Sequence, residues 1–300
     1  MKHPFQRSLA DPSSVSTPCT LTTPQASRPS GCYGFRLAGL DGGRALLVDA
    51  PAEWPLLDVR QVAASGTGPA VDRVGADRAE LPLHDGWMTV DRSPARVVFR
   101  LHALRPAADL IHPYLAPAAA LVARWAGLES FHAGAFVAGG GAWIVLGDKE
   151  DGKSTMLAQL ALEGCQVLTD DLAVVDHGCV LAGPRCIDLR EPAAAQLGVG
   201  EPLGVVGIRE RWRLRLDPAV ARVPLRGWVR LAWDDEVGVD EVRGAERMLA
   251  LMPFRSVRLT PEEPRALIDL GSLPMLRLRR PRRWDALREA GRRLVGAIAG

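Results

Sequence analysis

Lysine is nearly missing from this chain. Of its 37 basic residues only Lys2, Lys149 and Lys153 are lysine, and the rest are arginine. Arginine is used wherever any cation will serve, so a retained lysine marks a position that needs a compact ammonium on a flexible stem. Two of the three lysines fall in the short stretch Lys149–Lys153. Charge of one sign is also lacking. The formal net charge is +2, so no global field points to nucleic acid or a membrane, and neither is expected as a partner. No apolar run reaches the roughly 18 residues that a membrane span needs. The N-terminus has no apolar core behind Met1-Lys2-His3, so no secretory signal is expected there. The cysteines, Cys19, Cys32, Cys165, Cys179 and Cys186, are few, odd in number and spaced like no zinc site. They read as reduced thiols of a cytoplasmic protein. There is no internal repeat.

What is present suffices for one large domain or two modest ones, with 47% apolar residues to fill a core. Residues 1–30, rich in Ser, Thr and Pro, read as a disordered tail. Residues 31–110 form a small strand-rich region, with Arg44–Asp49 and Ala95–His102 as strands. Residues 111–300 are expected to form a nucleotide-binding catalytic domain. A helix is predicted over 112–126, closed by Gly127. Phe131–Ala138 and Ala142–Leu146 read as a hairpin around a glycine turn. A helix over 153–163 ends at Gly164, short strands follow near 166–168, 172–176, 180–182 and 185–187, and strand alternates with turn from 203 to Trp233. A closing helix spans about Trp284–Ile298. Helix content is too scattered for a bundle, so the fold class is α/β in a mixed α+β sense.

The second strand of the hairpin runs straight into Gly147-Asp148-Lys149-Glu150-Asp151-Gly152-Lys153-Ser154-Thr155. This is a G-x-x-x-x-G-K-[ST] phosphate loop with a strand before it and a helix after it. Glycines let successive amides turn inward to phosphate oxygens, and the helix start adds free N–H groups and a positive dipole end. Lys153 would neutralise the β- and γ-phosphates, and Ser154 would ligate Mg²⁺. All nine residues are candidates for binding ATP. The acidic interior is unusual. Glu150 is expected in a backbone conformation that glycine takes more cheaply. Its carboxylate and that of Asp151 cost Coulomb energy near a polyphosphate unless they face solvent or pair with Lys149.

Phosphoryl transfer also needs carboxylates. Asp170 and Asp171 follow a short strand after the loop helix, and could divide metal and base duties or form a solvated turn. Asp188, with Arg190 on the same face, offers a second metal or phosphate contact or a surface ion pair. His132 is either a satisfied core histidine or a partner of Asp170. Arg209, Arg211, Arg213 and Arg215 share one face of a strand, as an anion-facing surface or a wet edge. Arg277, Arg279, Arg280, Arg282 and Arg283 form a solvated face or a docking surface.

Phe131-His-Ala-Gly-Ala135, the glycine turn, Gly147–Thr155 and Leu168-Thr-Asp-Asp-Leu172 resemble the core of HPr kinase/phosphorylase. They resemble still more closely its relatives in bacterial peptide-biosynthesis (RiPP) clusters, including lasso-peptide serine kinases. The resemblance covers about 130–176, loosens to 235, and is absent from the first hundred residues. It implies a phosphoenolpyruvate-carboxykinase-like fold. It also implies Asp170 as the base for an acceptor serine, Asp171 as a metal-side carboxylate and His132 beside the base. Asp188-Leu-Arg190 resembles the family's Glu-x-Arg-Gly segment, with Asp188 on the metal side and without the glycine. Val223-Pro-Leu-Arg226-Gly227 faintly resembles its C-terminal basic loop. Arg190, Arg211, Arg213 and Arg226 would then contact phosphate or acceptor. The expected activity is an Mg-ATP-dependent serine kinase acting on a protein or modified peptide. A nucleotide-sensing module without transfer activity and a small-metabolite kinase are the alternatives, and a homo-oligomer is left open.

Overall fold

Eight strands of the first hundred residues form one sheet, in the order Val48–Asp49, Ser30–Cys32, Phe35–Ala38, Leu56–Ala63, Arg96–Leu101, Gly86–Asp91, Arg78–Leu83, Arg73–Val74. Leu56–Ala63 runs parallel to both its neighbours, and the other pairs are antiparallel. Alternation of buried and half-buried residues along Arg96–Leu101 shows why it forms a strand: one face meets the core and one does not. The computed structural model describes residues 28–258 and 264–300. Cys19 and nearly all of the expected N-terminal tail lie outside the described residues. The other four cysteines are free thiols, with Cys32 and Cys186 buried.

The helix expected from 112 begins later, at Leu115, and runs to Trp125. His112 precedes a proline, and the proline ring disfavours helical backbone at the residue before it. His112 is accordingly extended, at φ −145° and ψ 120°. Gly127 closes the segment with positive φ as expected. This helix packs in the same core as the N-terminal sheet, and Leu172, Leu181 and Cys186 join that core. Apolar packing therefore crosses the expected boundary at residue 110.

The second sheet has nine strands. Its hairpin is Gly134–Ala138 with Gly141–Leu146, joined by Gly139 and Gly140 at φ 55° and 75°. Two successive left-handed residues make the tight turn whose twist matches the strands, and glycine takes it without steric cost. Glu129–Phe131 is a separate strand that pairs with Ala173–Asp176. His132 thus sits in the link between two strands and not on the hairpin's first strand.

Arg222–Trp233 is the long central strand. Its first residues pair with Cys179–Leu181, its last six pair with Met275–Arg280, and its other edge runs parallel to Gly141–Leu146. Helices Lys153–Leu162 and Asp285–Ala299 cover one face of this sheet. Trp228, fully buried, anchors the opposite face against Phe131 and donates to the Leu270 carbonyl at 3.0 Å. A third sheet sets Arg209–Arg215 between Cys186–Leu189 and Glu201–Val206. The architecture is thus mixed α/β, with several mixed sheets and few helices. Among the described residues, no helix is long and apolar enough to cross a membrane.

Met275–Arg280 is an interior strand, so the solvated face expected for the C-terminal arginines holds for Arg282 and Arg283, which are exposed, and not for Arg280. Arg279 pairs with Asp240 at 2.6 Å and Asp234 at 3.0 Å, Arg277 pairs with Glu246, and Arg280 is buried.

Candidate active site

Gly141–Leu146 is buried along its whole length, and Lys153–Leu162 begins six residues after its end. Between them the chain folds as a compact loop capped by Gly152 at φ 74°. The ammonium of Lys153 donates to the carbonyls of Gly147 at 2.6 Å and Asp148 at 3.2 Å. Partial burial lowers its pKa, against the opposing pull of Asp170 and Asp171.

The acidic interior of the loop is answered by arginines from elsewhere. Arg190 pairs with Glu150 at 3.2 Å, and Arg230 pairs with Asp148 at 2.8 Å and Asp151 at 3.8 Å. Arg280 donates to the Asp151 carbonyl. Glu150 adopts φ 73°, the left-handed region expected of it, and its side chain turns outward. Lys149 is exposed, and the partners of these carboxylates are the arginines. Asp151 does make a contact inside the loop, where its carboxylate accepts the Asp148 amide at 2.6 Å.

Asp170 and Asp171 end the strand Val167–Thr169 beside this loop, and burial divides them. Asp170 is 3% exposed and lies beside Ser154, which eases its ionisation. Its Oδ1 is buried without a partner. Burial, and then the charge of Asp171, push its pKa well above the ordinary carboxylate value. The Asp171 side chain is 24% exposed and faces a cavity of about 500 Å³ with His132, Lys153, Ser154 and Arg209. The expected base, Asp170, has no face on that cavity, whereas its neighbour has one. His132 lines the same cavity, with Lys153 and Asp171 as its charged neighbours. Burial and the charge of Lys153 lower its pKa.

Asp188 is at the cavity wall but is already engaged. Arg213 grips it in two places, at 2.7 and 2.9 Å, and Arg211 lies 3.6 Å away. Burial raises its pKa, but the Arg213 bonds together with the charges of His112, Arg213 and Arg211 outweigh this and hold it below the ordinary carboxylate value. A carboxylate held by two guanidiniums is a poor cation ligand, so the metal role expected of Asp188 is replaced by a structural ion pair. Arg213 has no side left for phosphate: it also donates to the carbonyls of Ala108 and His112 at 3.2 and 2.7 Å. Arg211, nine-tenths buried, donates to the Val206 carbonyl. The arginine-bearing face of Arg209–Arg215 is therefore neither a wet edge nor an anion surface at its centre. Arg209 and Arg190 do line the cavity.

Arg226 lies at the wrong end of its strand. Leu225 pairs with Ala142 and Gly227 with Trp143, so Arg226 is the extra residue of a bulge against Gly141. The loop end of the same strand carries Arg230, which sequence reasoning missed. It also missed His112. That ring is 1% exposed, with Nε2 3.7 Å from both Asp171 and Asp188 and neither nitrogen hydrogen-bonded. Burial lowers its pKa. The His-Pro pair at 112–113 was the available signal, since it forces extended backbone within a helical stretch.

No protein-family model matches the chain, and no curated protein matches it. Among solved structures, the Hpr(Ser) kinase/phosphatase from Coxiella burnetii is similar at 14% identity. The match covers 57% of this chain and 99% of that one, with a TM-score of 0.29. A likeness at that level carries no argument about chemistry, so the site is interpreted from its own residues.

Proposed function

We propose that this chain binds a magnesium nucleoside triphosphate at Gly147–Thr155 and transfers its γ-phosphoryl group to a serine hydroxyl of a protein or modified peptide. One observation carries the reading: beside Ser154, at the start of the loop helix, lies a buried carboxylate, Asp170, whose Oδ1 has no hydrogen-bond partner. A hydroxyl and an ionisable carboxylate at the start of a phosphate-loop helix are the oxygen donors that magnesium favours. The residues therefore fit the metal, with Ser154 and Asp170 as its holders. Magnesium bound there would neutralise phosphate charge and orient the terminal group.

The remaining roles fall to residues on the cavity. Lys153, on its flexible stem, exchanges the Gly147 and Asp148 carbonyls for phosphate oxygens. Asp171 accepts the proton of the attacking hydroxyl as the new P–O bond forms, and the old γ-P–O bond breaks to release the nucleoside diphosphate. His132 stands beside Asp171 on the cavity wall, and Arg209 and Arg190 meet incoming anionic groups. The short segments Phe131–Ala135 and Leu168–Leu172 support a peptide kinase by their sequence resemblance.

A second reading, a nucleotide-sensing module without transfer, is favoured by Asp151. Its carboxylate occupies the Asp148 amide, which a phosphate oxygen would otherwise use. Nothing in the site favours the small-metabolite alternative.

Calorimetry with Mg-ATP and transfer of labelled γ-phosphate to serine-bearing peptides separate these readings. Lys153→Ala should weaken ATP binding by roughly 30-fold or more, the usual cost of removing one partner from a close charge pair. Unchanged affinity in that variant would sink the phosphate-loop assignment. Tight binding with no transfer to any acceptor would favour the sensing module.

A further inference from the structure

The phosphate loop has a second cavity beside it, which the transfer chemistry leaves unused. Its volume is about 290 Å³. Glu150, Gly152 and Thr155 of the loop form one wall, and Trp233, Trp284 and Arg282 form much of the rest. None of Asp171, His132 or Asp188 lines it. A group in this cavity is therefore next to the phosphates but apart from the carboxylates.

The chemistry of the lining is aromatic and rich in donors. Trp233 Nε1, Arg280 Nε and Arg280 Nη1 are all buried without a hydrogen-bond partner. Buried donors normally find an acceptor, so three in one place point to a ligand that supplies acceptors. Trp233 cannot supply a stacking face, because Arg280 and Arg282 lie over its ring at 4.1 and 4.7 Å. Trp284 can. It is 43% exposed and lines both cavities, so it stands where the two meet. It also precedes the helix Asp285–Ala299 without a side-chain cap bond, so the fold asks little of its indole.

We infer that this cavity takes the nucleoside half of the ligand, with a purine ring stacked on Trp284 and its ring nitrogens or ribose oxygens accepting from Trp233 and Arg280. The inference rests on the phosphate-loop reading and adds to it where the base lies and what holds it. Stacking is tolerant of base identity, because every base presents a π-face. The nucleotide would thus be gripped through its phosphates and ring face more than through its base edge.

The test compares ATP with inorganic tripolyphosphate, each with magnesium, by calorimetry on the full chain. Trp284→Ala should weaken ATP by on the order of ten-fold, within the range for loss of one stacked base, and leave tripolyphosphate unchanged. Trp284→Phe, which keeps a ring, should recover most of the ATP affinity. The inference is overturned if Trp284→Ala binds ATP like the unaltered chain, or if it loses both ligands equally. If the unaltered chain binds neither ligand, the phosphate-loop reading falls and takes this inference with it.

Discussion

Asp170 illustrates a side chain that the fold tolerates at a cost. Its carboxyl is buried beside Ser154, and its Oδ1 has no partner. Its pKa is raised in the folded chain, so the sign of its effect is fixed. The folded state favours the protonated form, and that contribution is full below the unfolded value near 3.8 and is lost as pH rises. Asp170→Asn should therefore stabilise the metal-free protein at neutral pH and make little difference in strong acid. Urea denaturation at several pH values measures this, and an Asn variant less stable than its parent at pH 7 would contradict it. The same variant should lose magnesium-dependent ATP binding. Stability and function then pull in opposite directions at one residue, as is common where a site holds uncompensated charge. His112 is a quieter case. Its buried ring faces Asp171 and Asp188, and the proline after it turned the backbone that put it there.

The Gly147–Thr155 loop and its hairpin were the most legible elements in the sequence. Glycines 139 and 140, the lone lysine pattern and the helix start are all local signals, and local signals survive without tertiary context. The arginines that answer the loop were not legible. Arg230 lies 82 positions from Asp148 along the chain, and only the parallel pairing of two strands brings them together. Arg226 misled for the same reason: a strand has two ends, and sequence does not say which one meets the loop. The expectation for Glu150 held because φ preference is a local property. Glu150→Gly should relieve the left-handed backbone, worth about 1–2 kcal/mol. Part of that is offset by lost chain stiffness and by the exposed Arg190 pair, so a net gain of about 1 kcal/mol is expected. Chemical denaturation measures it, and a net loss would show that the Arg190 contact outweighs the strain.

At the scale of the molecule, the N-terminal sheet and the C-terminal half share core and polar contacts. Arg213 links them, because its guanidinium grips Asp188 while donating to carbonyls of Ala108 and His112. Tyr33 adds a hydrogen bond from its backbone amide to the Ala182 carbonyl at 2.6 Å. This linkage could not be read from sequence, since alternating arginines look alike whether they face water or a buried carboxylate. Arg213→Met should destabilise the fold by about 3–5 kcal/mol, because it strands a buried charge. Adding Asp188→Leu should recover much of that loss. Unfolding curves for the single and double variants decide it, and equal stability of the single variant and its parent would show that the linkage carries little.

The central strand Arg222–Trp233 has a further consequence. Three neighbours read it at once, two of them on the same edge, so its numbering is locked along most of its length. Side chains alternate between faces, and one inserted residue would turn everything beyond it over. Insertion near its midpoint would carry Trp228 out of its interior seat and swing Arg230 away from the loop, while the first few residues stayed in place. No slip could repair both ends together. Insertions or grafted tags therefore belong between Leu216 and Ala221, the two residues whose backbone bonds, to Arg185 and Ala182, bound the link before this strand.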